Sequence, residues 1–280
     1  MSLRRLTLAF LLTLAAFPTP ARAGDVWEVW ASVFADFFLG PETREEFHWK
    51  GPVALGGALE IKGVNGAIRA EAATGNEVEI VALKRGRRSS PRDVQIKVVP
   101  HGGGLTVCAV YPHSGFGPAN ECQPGPGGRM NVRNNDVSVE FTVRVPARLD
   151  LVARTVNGRV EATGLQGRVE AHTVNGSVKL ATEGAAEAAT VNGSIDAALG
   201  RTDWKDAASF QTVNGSITLA LPREASTAVE ARTVNGRIAV DFDLADARTT
   251  RRELSGTIGA GGRKLALATV NGGIRLRQAR

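Results

Sequence analysis

Large aromatic side chains and cysteine are scarce in this chain. Phe, Trp and Tyr make up 5% of the 280 residues, and only two cysteines and one tyrosine occur. A thick globular interior is usually anchored by large side chains, whereas small and β-branched residues fill the narrow space between stacked strands. Since 43% of the residues are hydrophobic and 22% are charged, the chain can still form a core and is not expected to be disordered. This composition favours strands stacked as repeats.

Long apolar runs are absent after the first residues. No later run reaches the roughly 20 residues that span a bilayer, so we expect no integral membrane segment in the mature chain. Residues 1–23 have the pattern of a secretory signal peptide, with Arg4 and Arg5, an apolar run over 6–17 and an Ala-Arg-Ala site ending at Ala23. We therefore expect an exported protein, located in the periplasm or secreted to the cell surface.

A strong charge of one sign is also lacking. The formal net charge of the whole chain is +6, and removal of residues 1–23 takes away three arginines and no acidic residue. The remaining excess of about three positive charges is too weak to predict nucleic-acid binding. The Lys84-Arg85-Gly86-Arg87-Arg88 stretch is basic enough to meet an anionic glycan or lipid head group, although a solvated loop is the simpler interpretation.

The motifs of common enzyme classes are missing. There is no Walker-type phosphate loop, no Gly-x-Ser-x-Gly elbow, no His-Glu-x-x-His pair and no Asp-rich calcium repeat. Ser177, Ser194 and Ser216 each follow a repeated Asn by two residues, but no His recurs beside them, so we interpret them as structural. We therefore expect no enzymatic activity, no catalytic residues, no cofactor and no metal site.

The dominant feature of the sequence is a repeat of Val-Asn-Gly. It occurs seven times, and Thr precedes it in six copies. The motif asparagines are Asn65, Asn157, Asn175, Asn192, Asn214, Asn235 and Asn271. From the second copy on they are 18, 17, 22, 21 and 36 residues apart, and a degenerate copy at residues 254–258 divides the longest interval. One structural unit of about 16 to 22 residues is therefore repeated.

Apolar and polar residues alternate on both sides of each motif Asn. The third and fifth residues after the Asn are apolar in every copy, for example Ile195 and Ala197, whereas the residue between them, here Asp196, has no apolar requirement. The fourth and sixth residues before the Asn are apolar as well. This period of two predicts a strand, an Asn-Gly corner and a second strand in each copy.

Asn-Gly between alternating strands is also the strongest signal for a β-hairpin. A series of hairpins would need a second turn of similar quality between copies, but the linkers vary, and residues 165–171 repeat the pattern of residues 156–162. Two similar faces in a coil of 18 residues are typical of a parallel β-helix. We therefore predict an all-β fold, a single-stranded parallel β-helix (β-solenoid), with a short N-terminal amphipathic helix after the signal peptide.

In a solenoid, the corner residues of successive coils lie about 4.8 Å apart. We expect the seven motif asparagines to form a structural ladder, in which stacked amides hydrogen-bond along the axis and satisfy buried corner backbone. Asn tolerates the left-handed conformation and Gly accepts a positive φ, which would allow the sharp turn. The motif threonines should form a neighbouring column.

Cys108 and Cys122 lie in a stretch that is rich in Pro and Gly. In an exported protein we expect them to form a disulfide that closes this loop. A two-cysteine metal site is the weaker alternative, because His101 and His113 flank the pair without metal-ligand spacing.

These patterns divide the chain into segments. They are a signal peptide at 1–23, an N-terminal capping segment at 24–50 and a β-solenoid domain at 51–280 with loop insertions at 84–92 and 111–135. Apolar residues recur at helical spacing from Val26 to Leu39 and predict an amphipathic helix that covers the open end of the solenoid. An interfacial membrane or partner-binding helix is the alternative, although its flanks lack Lys and Arg.

Several of these features together resemble a known bacterial family. They are the signal peptide, the stretch at residues 45–51, the cysteine pair in Val-Cys-Ala-Val-Tyr-Pro and the run of Thr-Val-Asn-Gly-x-Ile/Val units. The chain is similar to exported repeat proteins called putative adhesins, a domain of unknown function with a β-helical fold. The resemblance implies a β-helix and surface binding, and it brings no agreed catalytic or binding residues.

The expectation is therefore an exported, non-enzymatic β-solenoid that acts as an adhesin or binding scaffold in the bacterial cell envelope. Its partner would be a protein or glycan of that envelope. The alternative is a periplasmic structural or regulatory partner of another envelope protein. A carbohydrate-active enzyme on a β-helix is a third hypothesis, which rests on fold analogy alone.

Overall fold

The computed structural model describes residues 41–53, 56–113, 115 and 117–279. The expected signal peptide and the expected amphipathic helix lie outside the described residues. Apart from a short 3-10 helix at Pro91–Asp93, the regular elements of the described chain are β-strands. In chain order they are β1 Thr43–Pro52, β2 Ala58–Lys62, β3 Ile68–Ala72, β4 Glu77–Gly86, β5 Gln95–His101, β6 Gly104–Val110, β7 Ser138–Val145, β8 Asp150–Arg154, β9 Val160–Leu165, β10 Val169–His172, β11 Val178–Thr182, β12 Ala186–Asn192, β13 Ile195–Leu199, β14 Ala208–Asn214, β15 Ile217–Leu221, β16 Thr227–Asn235, β17 Ile238–Val240, β18 Ala245–Thr249, β19 Glu253–Ile258, β20 Lys264–Asn271 and β21 Ile274–Gln278.

These strands belong to one compact unit, Glu42–Arg280, and form two sheets that share a core. The strand orders are β1-β4-β7-β3-β9-β11-β13-β15-β21-β17 in the ten-stranded sheet and β18-β19-β16-β20-β14-β12-β10-β8-β2-β6-β5 in the eleven-stranded sheet. In each coil of the repeat, a strand of the larger sheet leads through the Asn-Gly corner into a strand of the smaller sheet. The predicted all-β fold with parallel sheets is confirmed, and its winding fits a β-solenoid.

Equivalent residues of neighbouring coils pair in register. Asn192 pairs with Asn214, and Ile195 pairs with Ile217, across adjacent parallel strands. The third and fifth residues after each motif Asn are buried, except in the coil β16–β17, where they are half-buried. The period-two pattern therefore identified the core face correctly, because successive side chains of a strand point to opposite sides of the sheet.

The coils do not stack in chain order. The last coil, β20–β21, lies between β14–β15 and β16–β17. At the other end, β2 lies between β6 and β8, and β3 lies between β7 and β9. The first and the last Asn motifs of the chain are therefore held between other strands, and neither exposes a free sheet edge.

Antiparallel strands extend both sheets at the β2–β3 end of the stack and the eleven-stranded sheet at the β16–β17 end, where β17 is the edge strand of the ten-stranded sheet. At one end, β4 is antiparallel to its neighbours β1 and β7, and β5 is antiparallel to β6. At the other end, β19 is antiparallel to its neighbours β16 and β18. The degenerate copy at residues 254–258 lies in β19, so its interpretation as a further coil was wrong. Ser255 stands where the motif has Asn, and a short turn joins β18 to β19. The chain consequently folds back on itself here instead of winding around the core.

Two segment boundaries differ between the expectation and the structure. β1 starts at Thr43 and continues past residue 50, and it pairs with β4 over its whole length. β4 extends to Gly86 and takes up the first residues of the insertion expected at 84–92. A long irregular segment between β6 and β7 covers the insertion expected at 111–135.

Candidate functional site

The line of Thr-Val-Asn-Gly corners that joins the two sheets is called the corner edge. Along it, the Nδ2 atom of each motif Asn donates to Oδ1 of the next at 2.8 Å. In stacking order the ladder is Asn65, Asn157, Asn175, Asn192, Asn214, Asn271 and Asn235. The structure thus brings together all seven asparagines, with the last two in exchanged order.

The amide bonds of this ladder all point the same way. Asn157 donates to Asn65 at one end, and Asn235 donates to Asn271 at the other. Oδ1 of Asn235 therefore ends the ladder as an acceptor, and no group among the described residues donates to it. Aligned amide dipoles leave a partial negative charge at such an end, as aligned peptide dipoles do in a helix.

The motif threonines form a buried column next to the asparagines. The hydroxyl of Thr190 donates to the backbone oxygen of Gly176 at 2.9 Å, and the other five motif threonines make the same contact at 2.8–3.1 Å. All six are only 4–6% exposed, whereas the ladder asparagines lie at the surface. Satisfaction of buried corner backbone, expected of Asn, is therefore the role of Thr. In the first copy Gly63 takes the threonine position.

The motif glycines are required by close packing between coils. A Cβ on Gly193 would lie 2.0 Å from the backbone oxygen of Gly176, and the equivalent distance at the other five glycines after the first copy is 1.9–2.1 Å. Among the motif glycines only Gly66 has a positive φ, at 130°, and no ladder Asn is left-handed. The expectation of a left-handed corner was therefore wrong, because the constraint comes from the neighbouring coil rather than from the local turn.

The motif valines form an exposed apolar row along the corner edge. Val156, Val174, Val191, Val213, Val234 and Val270 are 38–52% exposed, and they are the large hydrophobic side chains that stand out as exposed in the described chain. These valines were not predicted as candidate site residues. The signal was present, because the preceding Thr faces inward and the next residue of a strand must then face outward.

A second feature is the segment closed by the disulfide. Cys108 and Cys122 are bonded, as expected. Beyond Cys122 the loop is held by Lys62, whose Nζ donates to the backbone oxygens of Gln123, Gly125 and Gly127 at 2.6, 2.5 and 3.1 Å. Since these bonds satisfy the ammonium group, Lys62 anchors the loop on the outer face of β2.

A buried polar group supports the same loop. Oε2 of Glu60 accepts hydrogen bonds from the Thr106 hydroxyl at 3.0 Å and from the Gly125 N–H at 2.9 Å. Nε2 of His101 lies 3.1 Å from the same hydroxyl, and Gly103 N–H donates to its Nδ1. Glu60, Thr106 and His101 are thus linked in a chain that resembles a catalytic relay. The Thr106 side chain is 0% exposed, however, and a substrate cannot reach it. The arrangement is structural.

The outer face of the eleven-stranded sheet carries linked charges. Arg168 lies 3.0–3.4 Å from carboxylate oxygens of Glu170, Glu187 and Asp206. Glu170 and Glu187 are neighbours in register, the placement that a carboxylate pair needs for glycoside hydrolysis. Both carboxylates are already engaged in ion pairs with the guanidinium of Arg168. This cluster was not predicted from the sequence, because its residues lie in the strands before the motif Asn, where the outward positions were not compared.

His172 lies beside these charges on the same face. Burial lowers its pKa from the ordinary value of 6.5, and the nearby charge of Arg154 lowers it further, against weaker raising effects of Glu187 and Glu170. Its Nε2 is 4.0 Å from Glu170, too far for a hydrogen bond. The imidazole is therefore neutral at pH 7 and forms no relay with this carboxylate.

The basic stretch at 84–88 is anchored to the fold. Lys84 is buried, and its Nζ donates to the backbone oxygen of Val94 at 2.9 Å. The carboxylate of Asp136 accepts hydrogen bonds from the N–H groups of residues 87–89 at 2.8–3.2 Å. Burial alone would raise the pKa of Asp136, but these hydrogen bonds outweigh it and hold the pKa well below its ordinary range.

The described part of the chain contains no helix that is long and apolar enough to cross a membrane. Likewise, the described side chains include no group of three or more His, Cys, Asp or Glu that could hold a metal ion.

Comparison with known proteins gives a family match over slightly less than half of the chain. Residues 150–277 match the model of the family described as Toastrack DUF4097. None of the curated proteins compared with the chain matches it.

Among solved structures, the chain is similar to a putative cell adhesion protein from Clostridium sporogenes, with 11% identity and a TM-score of 0.45, over 85% of this chain and 100% of that one. It is also similar to a putative adhesin from Bacteroides fragilis, with 13% identity and a TM-score of 0.36, over 84% of this chain and 97% of that one. Neither likeness carries a conclusion about function.

The region that matches the family model begins at β8 and ends within β21. It contains six of the seven ladder asparagines and all six motif threonines. The match to the Toastrack DUF4097 model therefore covers most of the repeated part of this chain.

Proposed function

We propose that this protein is an exported, non-enzymatic binding scaffold of the bacterial cell envelope, adhesin-like in its action. The observation that supports this most is the exposed valine row of the corner edge. Exposed apolar residues gathered in one place are typical of interaction sites, whereas scattered ones need no explanation. Six valines from successive coils lie in such a row.

Rigidity makes this row suited to binding. The asparagine ladder and the buried threonine column fix the corner backbone on both sides of each valine. A surface that is already ordered loses little conformational entropy when it binds. The row therefore offers a long, narrow apolar strip flanked by amide groups, which fits an extended molecule with alternating apolar and polar groups.

The absence of enzymatic activity remains part of the proposal. The two stacked carboxylates on the outer sheet face, Glu170 and Glu187, contact Arg168, and the relay-like group at Thr106 is buried. Turnover of a polysaccharide that is lost in a Glu170→Gln variant would contradict this part.

The experiment is a binding measurement with the purified mature chain on a glycan array and on whole cells. The test variant replaces Val174, Val191 and Val213 by Ser, and the control replaces the outward-facing Ala181 and Ala198 by Ser. We expect the valine variant to lose at least tenfold in binding and the control to bind like the wild type. Equal binding by all three proteins would refute a role of the row.

The alternative, a periplasmic partner of another envelope protein, predicts a different result in cells. A photo-crosslinking residue in place of Val191 should then capture one protein from the periplasmic fraction, and no glycan should bind. Fractionation of cells also tests the expected export, because the mature chain should leave the cytoplasm.

A further inference from the structure

Three arginines meet at the Asn235 end of the ladder. Arg237 follows the Asn235-Gly236 corner, and Arg251 and Arg252 come from the turn between β18 and β19. With Asn235 and Gly236 they line one open cavity of about 320 Å³, called the arginine cavity below. The Asn235-Gly236 corner and the turn between β18 and β19 therefore place three arginines around a single space.

These side chains have no counterions among the described residues. Nearby Arg232, by contrast, contacts Glu230 at 3.2 Å and Glu253 at 3.9 Å. Like charges gathered without carboxylates repel one another, so an anion in the cavity would relieve this repulsion. Guanidinium groups also bind phosphate and carboxylate through two parallel hydrogen bonds, which gives such a site geometric selectivity.

The cavity contains a neutral acceptor as well. Oδ1 of Asn235 ends the ladder and receives no hydrogen bond within the described chain. The polarity of the whole amide column strengthens this acceptor. A ligand that fits must therefore combine an anionic group for the arginines with a hydroxyl that can donate to Asn235.

We propose that the arginine cavity binds an anionic sugar, with its phosphate or carboxylate on Arg237, Arg251 and Arg252 and a hydroxyl on Asn235. The inference deepens the proposed function, since it names a ligand class for an envelope scaffold. It concerns a different site from the valine row. If the arginine cavity does not bind an anionic sugar, the proposed binding by the valine row is unaffected.

A purely protective role of the same arginines makes a different prediction. Charges near an exposed edge strand, here β17, prevent the sheets of two molecules from pairing edge to edge. Lysine keeps the positive charge, but its ammonium group cannot form the bidentate hydrogen bonds that a guanidinium makes with phosphate or carboxylate. A variant with Arg237, Arg251 and Arg252 all replaced by Lys should therefore stay as monomeric as the wild type and yet lose the sugar.

The test is calorimetric titration of the purified mature chain with glucose 1-phosphate, glucuronate, inorganic phosphate and glucose. We expect glucose 1-phosphate or glucuronate to bind at least tenfold more tightly than inorganic phosphate, and glucose not to bind. The triple lysine variant should lose at least tenfold in affinity, whereas an Arg232→Lys control should bind like the wild type. Equal affinity for glucose 1-phosphate and inorganic phosphate, no binding of either charged sugar, or full binding by the triple variant would overturn the proposal.

A second arm identifies the source of the sugar. Vesicles that contain a phosphorylated glycolipid and a soluble phosphorylated polysaccharide are each mixed with wild type and triple variant. Retention of the wild type alone by either material supports the proposal and names the source. Retention by neither would overturn it.

Discussion

Glycine at the corner determines how closely two coils can stack. A Cβ on Gly193 would lie 2.0 Å from a backbone oxygen of the adjacent coil, a clash that only backbone movement can relieve. Overpacking of this kind is expected to cost about 3 kcal/mol or more. Denaturant unfolding of Gly193→Ala measures this loss. Gly75→Ala is the control, because no atom lies within 4 Å of its Cβ, and an equal loss there would contradict the argument.

The asparagine ladder should stabilise the fold through two hydrogen bonds at each inner position. Asn192 donates to Asn175 and accepts from Asn214. Their loss in Asn192→Ala is expected to cost about 1–2 kcal/mol, at the level of exposed hydrogen bonds. Ser194→Ala should cost less, since Ser194 accepts only one bond, from Ser216 N–H at 3.2 Å. Unfolding midpoints of the two variants give the comparison, and a larger loss for Ser194→Ala would contradict the ladder as the main contributor.

His172 makes stability depend on pH. Its folded pKa lies below the ordinary 6.5, mainly through burial, so the unfolded state binds the proton more readily. The stabilisation that goes with the neutral imidazole is therefore present above pH 6.5 and is lost as the pH falls from 6.5 through the lowered pKa. We expect thermal unfolding scans between pH 7.5 and pH 5 to show this decline, and His172→Gln to reduce it. An identical pH profile in the variant would rule out His172 as its source.

At the scale of elements, the disulfide and the irregular segment between β6 and β7 act together. Cys108 and Cys122 close a short loop, and Lys62 and Glu60 hold the residues that follow it. Replacing both cysteines by Ser is expected to destabilise the protein by about 3 kcal/mol on the chain-entropy model. Hydrogen exchange should increase most at residues 123–128, while β10 to β15 remain protected. Uniform loss of protection would show that the loop is not a separate element.

Strands were predictable from sequence where the alternation was regular, but their pairing was not. The spacing around each Asn located the strands β8 to β15, since side chains of a strand alternate between core and solvent. The same alternation at residues 254–258 belongs to an antiparallel strand, β19. Apolar periodicity reports which face is buried and carries no information on strand direction. The exposed valines at the corner were missed for a different reason, because the alternation was followed only at the third and fifth residues after each Asn and the fourth and sixth before it.

At the scale of the whole molecule, the order of the coils is itself testable. Ala268 in β20 pairs with Gln211 of β14 on one side and with Arg232 of β16 on the other. Cysteines at 211 and 268 are expected to form a disulfide under mild oxidation, because neighbouring strands place Cα atoms about 5 Å apart. Cysteines at 211 and 232 should not, since a strand lies between them. Crosslinking of the second pair, read by mass spectrometry, would contradict the inserted position of the last coil.

The repeated motif alone was sufficient to predict a β-solenoid, its core face and a column of asparagines, because each of these depends on residues close together in the chain. The stacking order, the antiparallel ends and the arginine cavity depend on how separate segments pair, as β14 does with β20. Seven nearly equivalent copies can stack in several orders with the same local contacts. The strands that pair antiparallel at the ends carry no Asn motif, so the repeat does not show which copy each of them adjoins.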